Sequence, residues 1–390
     1  MRFSVDLSLF DRTLHSPSLS ALQRSLPSVT PSLRDYCIPV NPYFPTPRML
    51  ASMHERFETA LRYYPASQAE LADVFGPALG LDPASVVFGN GSTELIAWFH
   101  TLLVRGLLAI PVPTFGYWID YPRQHGHNVA AFALLAEDKY ALDVKHFVRF
   151  VRHEDARAAV ICNPNNPTGT IVPTSELCWL LDELADLNVI VVDESFIDFA
   201  YVEGIPSMAA AVKDRSNLIV LKSLGKNCGL HGVRAGYAVA PPEIAELLHR
   251  ALPAWNLNGV AEMLIRNFAE NQDEYEECRR RAVRDREAFE ARLRAIDGLT
   301  VFPSRANFVY VHLPEGVDGR RVREALLTEF GYLVRSCGNK LGSDDQHLRL
   351  AVRPLDEAED LAVALEWALA RLADRMPSSP LKNPLTHLVV

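Results

Sequence analysis

Between residues 85 and 240 the chain repeats one alternation, a short apolar run followed by a helix-period stretch. The apolar runs fall at 85–89, 107–110, 129–134, 158–162, 189–192, 218–221 and 236–240, with helical patterns between most of them, such as 93–104 and 175–186. Runs apolar at every position suit strands buried on both faces, which is the condition of a parallel sheet covered by helices. The prediction is therefore an α/β fold, a large domain with a mainly parallel seven-stranded sheet between helices. Loops that leave the carboxyl ends of such strands gather at one edge, where ligands bind. After about residue 253 the texture changes. A long charged helix (271–296), short strands at 301–302, 307–312 and 348–352, and a final helix from 355 predict a smaller α+β domain. The large domain is placed at 49–260 and the small one at 261–390, with the tail 376–390, rich in Pro and Ser, loosely ordered.

Three segments at predicted strand ends carry chemistry. Residues 223–236 read Ser-Leu-Gly-Lys-Asn-Cys-Gly-Leu-His-Gly-Val-Arg-Ala-Gly, which sets Lys226 in a glycine-punctuated loop after a strand. A lysine there can condense with an aldehyde, while Ser223 and Arg234 can hold a phosphate. Isolated lysines at strand ends are usually solvated surface groups, so the other segments matter. Residues 162–169 read Cys-Asn-Pro-Asn-Asn-Pro-Thr-Gly, in itself only a turn signal. Residues 191–199 read Val-Val-Asp-Glu-Ser-Phe-Ile-Asp-Phe, with Asp193 ending an apolar run where a cap would also choose Asp.

Together, in this order, the segments resemble the pyridoxal-phosphate site of fold-type I enzymes, the class I/II aminotransferase superfamily, over roughly residues 36–370. The resemblance implies that Lys226 carries the cofactor and that Asp193 faces its ring nitrogen, with Glu194 and Asp198 less suited. It implies that Asn166 donates to its ring oxygen. Gly91, Ser92 and Thr93 open a helix after a strand, so their N–H groups and hydroxyls suit a phosphate. Phe115 is the implied stacking residue, with Tyr117 a neighbouring alternative. Tyr64 matches the tyrosine that crosses to the other subunit's site, which implies a homodimer. The first 48 or so residues are implied to join the small domain.

Within the superfamily the chain resembles histidinol-phosphate aminotransferases and threonine-phosphate decarboxylases. Arg349 alternates with apolar Leu348 and Leu350 and offers two parallel donors to an α-carboxylate. Arg335, fourteen positions earlier, matches the second anion-binding arginine, and Asn41 and Tyr43 match the N-terminal substrate segment. Arg353 reads as a surface ion pair. Phe196 stands where most aminotransferases have a tyrosine that donates to the cofactor's ring oxygen, and residue 225 is Gly where a hydroxyl residue often assists the phosphate. The string around Asp193 and the Arg-Ser-Cys-Gly-Asn of residues 335–339 look more like the decarboxylase, yet the N-terminal His-Gly-Gly associated with it is missing. The motifs place transamination of an amino acid or phosphorylated amine first. Decarboxylation of a phosphorylated amino acid is the alternative, and a silent pyridoxal-binding protein a remote third.

The remaining features narrow the class. A formal charge of −9 without a basic stripe argues against nucleic acid. No apolar run approaches a bilayer-spanning length, and the N-terminus lacks a charged-then-apolar signal. The six cysteines, 37, 162, 178, 228, 278 and 337, are scattered without a Cys-x-x-Cys pair, as in a cytoplasmic protein with free thiols. His125 and His127 lack further ligands at metal spacing, so no metal is expected.

Overall fold

A computed structural model of the chain describes residue 10 and residues 17–26, 33–200 and 207–373; the tail expectation for 376–390 lies outside them. Its large sheet has seven strands: β1 (Val86–Gly89), β2 (Leu108–Val112), β3 (Val129–Ala133), β4 (Ala158–Cys162), β5 (Val189–Asp193), β6 (Leu218–Lys222) and β7 (Gly236–Val239). Their spatial order is β1-β7-β6-β5-β4-β2-β3. All neighbours run parallel except β7, which is antiparallel to both β1 and β6. The apolar runs do form the strands, and their side chains alternate between two layers. In β5, Ile190 and Val192 enter one core layer, while Val189 and Val191 enter the other. Strand β2 continues two residues beyond the predicted 110, through Pro111. A proline is tolerated there because β2 pairs with β4 only at Leu108 and Ala109.

The small sheet is antiparallel, with Arg335–Ser336, His347–Ala351, Phe308–His312 and Thr300–Val301 side by side. Arg34–Asp35 adds a parallel pairing to Tyr332–Leu333, and the Ala351 N–H donates to the Tyr36 carbonyl at 2.8 Å. One helix joins the two cores. In Gln272–Arg294, Tyr275 and Cys278 pack with the large sheet's helices, whereas Phe289 and Leu293 pack against the small sheet. No helix among the described residues is long and apolar enough to cross a membrane.

Candidate active site

Strands β4, β5 and β6 end in Cys162, Asp193 and Lys222, so the three motif segments leave the sheet at one edge. The Lys226 segment is not a loop as expected. It folds into one helical turn, Leu224–Asn227, because the Cys228 N–H returns to the Leu224 carbonyl at 2.7 Å. Lys226 then faces a cavity lined also by Ser92, Thr93, Phe115, Asn166, Asp193, Phe196, Ser223, Arg234, Arg335 and Arg349. Residues up to 311 positions apart in sequence, Ile38 and Arg349, thus share one space, and Phe115 rather than Tyr117 lines it, together with Phe196.

Asp193 is buried. Its Oδ1 accepts the Ser195 N–H at 3.0 Å and the Ser195 hydroxyl at 2.6 Å, and its Oδ2 accepts the Trp118 indole N–H at 2.8 Å. Burial pushes this carboxyl's pKa up, and the three donors oppose the shift by favouring the anion. A carboxylate so fixed suits a cationic ring N–H. The neighbouring Glu194 and Asp198 are otherwise engaged. Lys222 lies 3.1 Å from Asp198 and 3.7 Å from Glu194, and Asp198 also accepts from Asn227 and Tyr275. These two carboxylates raise the Lys222 pKa against the effect of its burial, so Lys222 stays an ammonium.

Lys226 is in the opposite state. Burial first, then the charges of Arg349 and Arg234, pull its amine down to about 8. A substantial neutral fraction near pH 8 is what condensation with an aldehyde needs.

The helix Ser92–Leu102 begins without a side-chain cap, so its first N–H groups and dipole are presented to the cavity. Arg234 crosses this helix start with Nη2 3.2 Å from Thr93 Oγ1. Gly91 permits the crossing: its φ is +79°, and a Cβ there would stand 2.4 Å from Arg234 Nη2. Helix N–H groups, two hydroxyls, Ser223 and a guanidinium form a cradle for a phosphate. On the cavity's other side Asn166 Oδ1 accepts from Arg349 Nη1 at 2.6 Å, which leaves its amide N–H groups as the donors it can offer inward.

Arg335 and Arg349 are register partners in the antiparallel small sheet, which explains their fourteen-residue spacing. The register sets two guanidinium groups on neighbouring strands, and both side chains line the cavity. Arg349 is buried and also donates to the Cys37 carbonyl at 2.7 Å, and its Nε has no partner among the described residues. Arg353 pairs with Glu357 at 3.2 Å.

Three expected residues lie elsewhere. Asn41 is buried behind the Lys226 turn, its N–H bonded to the Lys226 carbonyl at 2.9 Å. Tyr43 donates to Asp285 and packs under Arg281. The N-terminal segment reaches the cavity instead through Ile38 and Pro39. Tyr64 is 79% exposed and stacks on Trp255 outside the cavity. Sequence reasoning missed Trp118, Ser195, His231 and Lys340. Ser195, two residues after an Asp, carried a local signal, since such pairs form side-chain turns. Trp118, 75 residues from its partner, carried none. No cluster of three or more metal-ligating side chains occurs among the described residues.

The family model for aminotransferase class I and II matches residues 36–366. The chain belongs to that family. An L-serine phosphate decarboxylase of Campylobacter jejuni is 31% identical over 356 residues, covering 88% of this chain and 90% of its own. Histidinol-phosphate aminotransferase 1 of Pseudomonas aeruginosa is 33% identical over 334 residues, covering 84% and 90%. The solved structure of a decarboxylase from Sulfurospirillum multivorans superposes with a TM-score of 0.84 at 31% identity, covering 91% of this chain and 92% of its own. The chain is a pyridoxal-phosphate-dependent enzyme, and the cavity's donors fit that cofactor. When bound, the cofactor withdraws electrons from a bond being broken at the substrate's α-carbon.

Proposed function

We propose that this enzyme decarboxylates a phosphorylated amino acid, with L-serine phosphate the first substrate to test. The side-by-side placement of Arg335 and Arg349 carries the substrate class, because it provides for two anions on one short molecule. The reaction type rests on the likeness to L-serine phosphate decarboxylases along about nine-tenths of both chains, with Phe196 in place of a tyrosine. That likeness reverses the order read from the motifs, which put transamination first.

In this reading Lys226 carries the cofactor, Ser92, Thr93, Ser223 and Arg234 hold its phosphate, Phe115 packs on its ring and Asn166 donates to its ring oxygen. Asp193 keeps the ring nitrogen protonated. Arg349 clamps the α-carboxylate, Arg335 takes the distal phosphate, and Lys226 delivers a proton to the α-carbon after carbon dioxide leaves. L-Serine phosphate labelled with carbon-13 at the carboxyl should release labelled carbon dioxide and leave phosphoethanolamine. A keto acid, with the cofactor left in its amine form, would instead establish transamination, the reaction of the Pseudomonas relative.

Two further outcomes test residue roles. Because the Lys226 amine titrates near 8, loading of cofactor-free protein should accelerate up to about tenfold per pH unit on the acid side of this value and level off above it. Stopped-flow absorbance reads this directly, and a pH-independent rate counts against Lys226. Leu61, Tyr63, Tyr64 and Trp255 are all exposed, with Tyr64 stacked on Trp255, and a second copy that covers them would bring Tyr64 to its partner's cavity. Sedimentation should therefore give a dimer; a fully active monomer removes that role.

A further inference from the structure

Lys340 has no place in the roles above, yet it lines the same cavity as Arg335 and Arg349. It stands in a tight turn of the small domain. Its N–H bonds the Cys337 carbonyl at 3.0 Å, and its own carbonyl accepts the Ser343 N–H at 3.0 Å. The turn is pressed against the large domain. Gly342 has φ +81°, and a Cβ there would lie 2.9 Å from Pro113 N, so this close approach requires glycine. Across that junction Lys340 Nζ donates to the Thr114 carbonyl at 3.1 Å, next to Phe115. No carboxylate among the described residues lies within ion-pair distance of Nζ. Lys340 is half-buried. A third basic side chain thus lines the cavity with two arginines, its amine bonded to a neutral carbonyl.

We propose that Lys340 completes, with Arg335, a subsite for a dianionic phosphate or phosphonate at the substrate's distal end, and so selects against substrates that end in a carboxylate or hydroxyl. The inference rests on the phospho-amino-acid reading above and adds the residue that reads the second negative charge. Arg349 alone serves the α-carboxylate. The groups facing Lys340 are Arg335 and Arg349, which disfavour its protonation, and Cys337 and Asp120, which favour it. With burial the largest influence, the free amine is held down to about 7. A phosphate monoester is fully dianionic at pH 8, since its second pKa is about 6. Binding it there should draw a proton onto Lys340.

Calorimetric titration of the pyridoxal-loaded protein with O-phospho-L-serine, L-serine and L-aspartate tests this. In Lys340→Met the dissociation constant for phosphoserine should rise about 30-fold or more, with changes of about threefold or less for serine and aspartate. Lys340→Gln, which keeps a donor toward Thr114, should show the same loss, and Lys340→Arg should restore binding to within about tenfold of the original. Titrations at pH 8 in buffers of different ionisation enthalpy should show more proton uptake with phosphoserine in the parent than in Lys340→Met. The subsite is overturned if both neutral variants bind phosphoserine within about threefold of the parent, or lose all three ligands equally. It is overturned too if the parent does not bind phosphoserine. Carbon dioxide release, scored separately, judges the decarboxylase reading. Discrimination without release keeps the subsite and removes that reading, and release without discrimination does the reverse.

Discussion

Replacing Lys226 with alanine is expected to remove covalent cofactor attachment and to lower turnover by about 10³-fold or more, the scale of losing a positioned acid–base group. Borohydride reduction followed by digestion should place the cofactor on Lys226 in the parent and nowhere in the variant. Lys222 is the internal control. It lies four residues away on the same edge, but Asp198 and Glu194 hold it as an ammonium, which cannot attack an aldehyde. Label on Lys222, or a variant with a tenth of the original activity (about 1.4 kcal/mol in barrier), would remove Lys226 from the centre of the site.

Arg349→Ala is expected to cost about 10²- to 10³-fold in kcat/KM for every amino acid substrate, the effect of deleting one member of a buried charge pair. The same change frees Asn166 Oδ1 and the Cys37 carbonyl, both of which now accept from the guanidinium, so the melting temperature should fall as well. Arg349→Lys should rescue little, because a point charge cannot reproduce two directed donors. Phosphoethanolamine separates binding from folding. It lacks an α-carboxylate, so its affinity should change by about threefold or less in Arg349→Ala. An equal loss for phosphoserine and phosphoethanolamine would mean that Arg349 serves the site's structure and not the carboxylate.

Much of the scaffold was legible in the chain because strand formation here depends on local composition. Each run of the large sheet is apolar at nearly every position, and each predicted strand lies within two residues of an observed one. The ends moved where pairing decided them, as at Pro111, whose missing N–H costs nothing beyond the last pairing with β4. Motif position was legible for the same reason. Asp193 and Lys226 follow unbroken apolar runs, and a parallel sheet delivers every such end to one edge.

The sequence by itself determined the sheet, the cofactor and the residues at the strand ends. The tertiary structure alone decided which polar groups meet there. Trp118 reaches Asp193 from 75 positions away, Arg349 reaches Asn166 from 183, and Lys340 reaches Thr114 from 226. None of these contacts leaves a periodic trace, because each depends on strand register and on how the small domain's turn lies against the large one. The two arginines show this most directly. Fourteen residues apart they are merely two cations, and the antiparallel register of Arg335–Ser336 with His347–Ala351 sets them opposite each other at the cavity.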